Sequence, residues 1–180
     1  SKAITFVSEN GYKEVRSWKD LKNNTIKIST WLKKNQIKKK DRIAAYLPNY
    51  IETVEAYLAS IAIGAIWSSC SPDFGSKGVI ERFSQINPKI LFVTDQYFYN
   101  GKQINIICRL PEILKAIPSI KNVVVINYPG KKLLNNKKKI KQIQIFNWIE
   151  LMTTNSKNIF YSKFDFEHEL AILYSSGTTG

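Results

Sequence analysis

An α/β fold, with a parallel sheet flanked by helices, is the class this sequence predicts. Three observations predict it. Apolar runs of strand length recur along the chain, such as Arg42–Leu47, Ile90–Thr94 and Val123–Ile126. Stretches with apolar residues at helical spacing lie between them. The connections are short, so strand and helix alternate as in βαβ units.

The elements follow in order. Ala3–Val7 alternates weakly, and Asn10-Gly11 then Tyr12–Val15 predict a hairpin. Ser17 caps a helix, with Asp20 three residues on. Leu21, Thr25, Ile28 and Leu32 give that helix a buried face, and it ends near Asn35. After the basic turn Lys38–Lys40 comes the strand Arg42–Leu47, stopped by Pro48-Asn49. Ile51–Ile63 is the next helix, with Val54, Leu58 and Ile61 on one side and Gly64 as its C-terminal cap. Ala65–Trp67 is a short strand, and Ser68–Gly75 a polar loop. A helix over Lys77–Ile86 ends at Asn87-Pro88, before the strand Ile90–Thr94. Gln103–Leu110 is expected to be helical, Pro111 to start a further turn, and Val123–Ile126 to be a strand. Lys131 to Lys141 holds six lysines and no acid, and reads as an exposed insertion. Ile143 to Phe166 leads back to the sheet.

Composition narrows the class. A chain of 180 residues, 44% of them apolar, is one ordinary domain with a core. Its longest apolar run, Ala56–Trp67, carries Ser60 and Gly64 and is too short to span a bilayer. Cys70 and Cys108 stand far apart with no C-x-x-C, which predicts two reduced, mostly buried thiols in a cytoplasmic protein. The net charge of +13 invites a nucleic-acid partner. However, the lysines are scattered, no aromatic platform interleaves them, and Lys, Ile and Asn are enriched together as an AT-rich coding sequence would give. Solvated charge, with no nucleic-acid partner and no membrane span, is the expectation.

Candidate chemistry sits at the end of the chain. Leu170–Tyr174 is a strand-type run, followed by Ser175, Ser176, Gly177, Thr178, Thr179 and Gly180. Hydroxyls and backbone N–H groups leaving a strand in such a loop converge into a nest for phosphate oxygens. The pattern is not G-x-x-x-x-G-K-[ST].

The string Y-S-S-G-T-T-G resembles the phosphate loop of the AMP-forming acyl-CoA synthetases, a branch of the adenylate-forming enzymes. In that family the motif continues with any residue, Pro and Lys, so Ser1 and Gly180 both read as edges of a longer chain. The implied fold is part of the family's large N-terminal domain over residues 1–180, with 131–142 as the Lys-rich insertion. Asp41–Asn49 resembles a core strand of the short-chain members. Gly64–Gly75, Arg82–Lys89, Tyr97–Lys102 and Phe164–Leu170 narrow the resemblance to the branch that activates acetoacetate, although Glu169 and Ala171 depart from that branch's usual Pro and aromatic residue.

That resemblance implies a two-step reaction. Acetoacetate attacks ATP, which arrives with Mg2+, and the adenylate then passes its acyl group to coenzyme A. Ser175, Ser176, Gly177, Thr178 and Thr179 would hold the ATP phosphates. Lys102 matches a basic residue that contacts a coenzyme A phosphate, while Tyr99 stands where an arginine is usual. No catalytic residue and no metal ligand falls within this stretch, which is expected to be inactive alone. Trp67 reads as core, Asp73 as ordering its turn, and His168 as structural. Two alternatives stay open. One is another adenylating enzyme, such as an acetyl- or propionyl-CoA synthetase; the other is a non-enzymatic basic binding module.

Overall fold

A computed structural model of the chain describes residues 1–128, 142–156 and 162–175. β1 (Lys2–Val7) and β2 (Lys13–Ser17) form the expected hairpin, with Gly11 at φ +80° in its turn. α1 (Trp18–Lys34) starts where the sequence places it: the Ser17 side chain accepts from the Asp20 N–H at 3.0 Å. Ile28 and Leu32 on its inner face are fully buried. Burying each is worth roughly 2 kcal/mol.

The central sheet is parallel. It comprises β3 (Arg42–Tyr46), β4 (Ile66–Cys70), β5 (Ile90–Thr94), β8 (Asn122–Ile126) and β9 (Gln144–Asn147), in the order β4-β3-β5-β8-β9. α2 (Ile51–Ala62) joins β3 to β4, and α3 (Ser76–Ile86) joins β4 to β5. Between β5 and β8 lie a hairpin of β6 (Gln96–Tyr99) and β7 (Lys102–Asn105), a 3-10 turn at Ile107–Arg109, and α4 (Leu110–Ala116). α5 (Trp148–Met152) follows β9.

Alternating residues of the strands feed two cores. Ile43, Ala45, Ile90, Phe92 and Val124 pack with α1, α2 and α5. Ala44, Tyr46, Leu91, Val93, Val123 and Val125 pack with α3 and α4. All five residues of β5 are buried, which is why its sequence shows no alternation.

The structure corrects several expectations. Ser68–Cys70 is strand rather than loop, because β4 pairs with β3 as far as Tyr46↔Cys70. Gln103–Leu110 is not one helix. Lys102–Asn105 turns back on β6 around Asn100 and Gly101, both at positive φ, and helix begins only at Leu110, with Pro111 in its first turn. α2 buries Ile51, Glu55, Ala56, Ala59 and Ser60 instead of the Val54–Leu58–Ile61 stripe. Its small residues let it lie close to α1, where Ser29 Oγ donates to the Ala59 carbonyl at 3.2 Å. Leu58 and Ile61 instead line an apolar groove of ≈ 590 Å³ with Trp18, Leu21, Phe164 and Leu170. Of the two cysteines, Cys70 is buried and Cys108 is exposed. Residues 131–141 of the expected insertion lie outside the described residues.

Leu170–Tyr174 runs along the free edge of β4, with Ala171 bridged in parallel to Trp67. The Trp67 N–H donates to the Leu170 carbonyl at 3.0 Å, and the Ile172 N–H to the Trp67 carbonyl at 2.8 Å. The segment is not a buried strand: Leu170 is 51% and Leu173 81% exposed, since an edge position leaves one side open. None of the described helices is long and apolar enough to cross a membrane.

Candidate active site at the carboxyl edge of the sheet

Every strand of the parallel sheet points its carboxyl end to the same edge. The chain leaves β3 into α2 on one face, and leaves β5 toward α4 on the other. Open α/β sheets form ligand sites where adjacent connections diverge in this way. A cavity of ≈ 270 Å³ lies here. Leu47–Asn49 after β3, Ser69–Asp73 at the end of β4, and Tyr97 and Tyr99 of β6 line it.

Its floor is held rigid by side chains that the sequence does not single out. The Arg109 guanidinium donates to the Pro72 carbonyl at 3.2 Å, the Phe74 carbonyl at 3.0 Å and the Tyr46 hydroxyl at 2.5 Å. Tyr46 in turn donates to the Phe74 carbonyl. Asp73 accepts from Ser71 Oγ at 2.8 Å and from the Tyr97 hydroxyl at 2.9 Å. Asp73 thus orders its turn, as the sequence implies, and also ties that turn to β6. Trp67 is core, 4% exposed and packed edge-on against Tyr57.

Burial dominates the electrostatics. Burial pushes the Cys70 thiol up to about 11, with Arg82 opposing the shift, so this sulfur stays protonated at neutral pH. Burial, then the hydrogen bond to Asp73, pushes the Tyr97 hydroxyl up to about 12. Burial likewise raises Tyr46, against the lowering effect of Arg109. These groups act as neutral donors and spacers.

The Leu170–Tyr174 segment, parallel to β4, delivers Ser175 to this same edge. Ser68 Oγ donates to the Ile172 carbonyl at 2.9 Å, and the Tyr174 hydroxyl to the Arg82 carbonyl at 2.5 Å. Ser175 is exposed. Ser176, Gly177, Thr178 and Thr179 lie outside the described residues. Lys102 is exposed and opposes Tyr99, a wall of the cavity, in the β6–β7 register. The turn beside it is braced by the other hairpin, since the Gly101 N–H donates to the Glu9 carboxylate at 3.3 Å. His168 lies at the amino end of that segment: its Nε2 is 3.1 Å from the carbonyl of Gly64, which follows α2. Among the described residues no group of three or more His, Cys, Asp or Glu side chains could hold a metal ion.

Sequence reasoning passed over Arg109, Tyr46, Tyr97 and Arg82. Arginine and tyrosine at the ends of elements look like ordinary surface residues. Their partners, a carboxylate, a hydroxyl, carbonyls and a ring, stand some 24 to 92 positions away in the chain.

The chain belongs to the AMP-binding enzyme family, whose model matches residues 2–180 and so covers the parallel sheet and its carboxyl edge. It is 41% identical over 166 residues to an acetoacetyl-CoA synthetase of Xenopus tropicalis, covering 89% of this chain and 24% of that protein. It is 34% identical to an acetoacetyl-coenzyme A synthetase of Rhizobium meliloti (strain 1021), covering 99% of this chain and 27% of that protein. The structure is similar to acetoacetyl-CoA synthetase from Streptomyces lividans, with a TM-score of 0.88 and 32% identity over 99% of this chain and 26% of that one. The chain spans about a quarter of the length of these relatives.

Proposed function

We propose that this chain forms the ATP-phosphate side of an acetoacetate–CoA ligase, which joins acetoacetate to coenzyme A through an acyl-adenylate with release of diphosphate and AMP. The observation that carries the proposal is the docking of Leu170–Tyr174 on β4. It runs the start of Y-S-S-G-T-T-G parallel to β4, toward the carboxyl edge of the sheet. In this reading Ser175, Ser176, Gly177, Thr178 and Thr179 aim hydroxyl and N–H donors at the phosphates of ATP. Their role is electrostatic, because the first step builds and then expels charge on diphosphate. The Mg2+ that accompanies ATP is assigned to no residue here. Lys102, on its braced hairpin, would contact a coenzyme A phosphate, with Tyr99 in place of a second cation. The reading places the enzyme in the cytoplasm, where both nucleotide co-substrates are available.

The test uses the full-length protein carrying this chain. Diphosphate release is expected with ATP and acetoacetate, and more slowly with acetate or propionate. A clear preference for acetate or propionate overturns the substrate and leaves the family. Thr178→Ala or Thr179→Ala is expected to slow adenylate formation by on the order of a hundredfold, the effect of losing one preorganised donor at about 3 kcal/mol. Thioester formation from supplied adenylate should be nearly unaffected, since diphosphate has already left.

A further inference from the structure

Among the described residues, the segment that delivers Ser175 makes two backbone hydrogen bonds to β4, both to Trp67. So short a pairing does not set its own register, and a slip of one residue would turn Ile172 and Tyr174 to the opposite face. Side chains at its two ends supply what the ladder lacks.

At the amino end, His168 stacks on Phe164 with ring centres 4.7 Å apart and planes at 19°. Phe164 in turn fills the notch at Gly64, where a Cβ would lie 2.5 Å from its ring. His168 Nδ1 is buried without a hydrogen-bond partner, which assigns the ring proton to Nε2, donating to the Gly64 carbonyl. The ion pairs Lys40–Glu169 and Lys39–Asp165, at 3.6 and 4.0 Å, are exposed and add little. At the carboxyl end, the Tyr174 hydroxyl is held by the Arg82 carbonyl. The Arg82 guanidinium lies 4.2 Å from the Phe74 ring centre and 5.8 Å from that of Tyr174.

We propose that His168 and Arg82 are positioning residues that clasp this segment at its two ends, set its register on β4, and thereby place Ser175. The inference rests on the phosphate-loop reading above. His168 acts through the backbone of Gly64, and Arg82 through the rings of Phe74 and Tyr174.

The test again uses the full-length protein. Hydrogen exchange of a peptide covering residues 167–174 is measured beside the two half-reactions, for His168→Ala, His168→Gln, His168→Phe, Arg82→Ala and Arg82→Lys. His168→Ala and Arg82→Ala are each expected to speed exchange of that peptide and to slow acetoacetate-dependent ATP–diphosphate exchange, both by about tenfold, with thioester formation from supplied adenylate changed less than about threefold. His168→Gln keeps an N–H for the Gly64 carbonyl and should recover most of the loss. Arg82→Lys keeps the charge but not the planar stack and should not. If His168→Ala fails to fold, the comparison of His168→Gln with His168→Phe decides the amino-terminal clasp. Unchanged exchange over 167–174, wild-type behaviour of Arg82→Lys, or equal slowing of both half-reactions overturns the proposal. A wild-type protein inert toward acetoacetate overturns the functional reading instead, and the exchange data still decide the clasp.

Discussion

Glu55 is a carboxyl group with no exposed surface, on the buried face of α2. Arg16 Nε lies 2.8 Å from one of its oxygens, which also accepts from Asn24 Nδ2 at 2.8 Å. The same guanidinium serves Glu14 at 2.9 Å and Glu52 at 3.9 Å, so one cation faces three carboxyl groups. Burial outweighs these partners and raises Glu55 from 4.5 to about 7; burial raises Glu52 as well. The folded state therefore holds a proton that the unfolded chain releases at lower pH. The contribution of this group to stability is complete below about pH 4.5 and is lost as pH rises toward 7. Glu55→Gln should leave stability at pH 4.5 little changed and raise it at pH 8 by on the order of 3 kcal/mol, read as urea midpoints at the two pH values. A pH profile of Glu55→Gln parallel to wild type would refute this assignment. The cysteines differ in the same physical terms: Cys70 is buried with a raised thiol, whereas Cys108 is exposed. Iodoacetamide on the folded protein should alkylate Cys108 and spare Cys70, as peptide mass mapping would report.

At the scale of the element, the turn from α2 to β4 carries more constraint than its length suggests. Gly64 sits at φ +76°, its carbonyl faces His168, and its missing side chain leaves room for Phe164. Two costs are superposed on Gly64→Ala. The left-handed backbone costs roughly 1–2 kcal/mol for any residue with a Cβ, and the collision with the Phe164 ring adds to it. Gly64→Ala should therefore destabilise by about 3 kcal/mol, and by only about 1–2 kcal/mol in a Phe164→Ala background. Additive losses in that double-mutant cycle, measured by chemical denaturation, would mean that ring and turn are independent. The sequence marked Gly64 as a helix cap, and that much was legible, because the cap is a local backbone requirement. The partner one hundred positions later was not. The β6–β7 hairpin escaped notice for a related reason: its turn, Asn100-Gly101, is a hairpin signal, but the polar strand Lys102–Asn105 lacks the alternation that marks a half-buried strand.

For the whole molecule, the net charge of +13 comes mostly from lysines dispersed along the chain, with six of them in Lys131–Lys141, outside the described residues. With most lysines dispersed and no aromatic platform interleaved among them, DNA binding should be weak, indifferent to sequence and lost at physiological salt. A gel-shift series across salt concentrations measures this, and tight sequence-dependent retention at physiological salt would contradict it. The chain's α/β class, most of its helices and strands, and its family resemblance were determined by the sequence itself. Apolar period, caps and turn residues act between near neighbours, and the phosphate-loop string is contiguous. Only the tertiary structure decided which face of α2 is buried, because Ala56, Ala59 and Ser60 are chosen for close approach, not for hydrophobicity. Only it brought Arg109, Tyr46 and Tyr97 together under the Ser71–Phe74 turn, and Arg82 against Tyr174. Those contacts join residues from separate βα units. Parallel strands deliver their carboxyl ends to one edge only after the crossovers between them have folded.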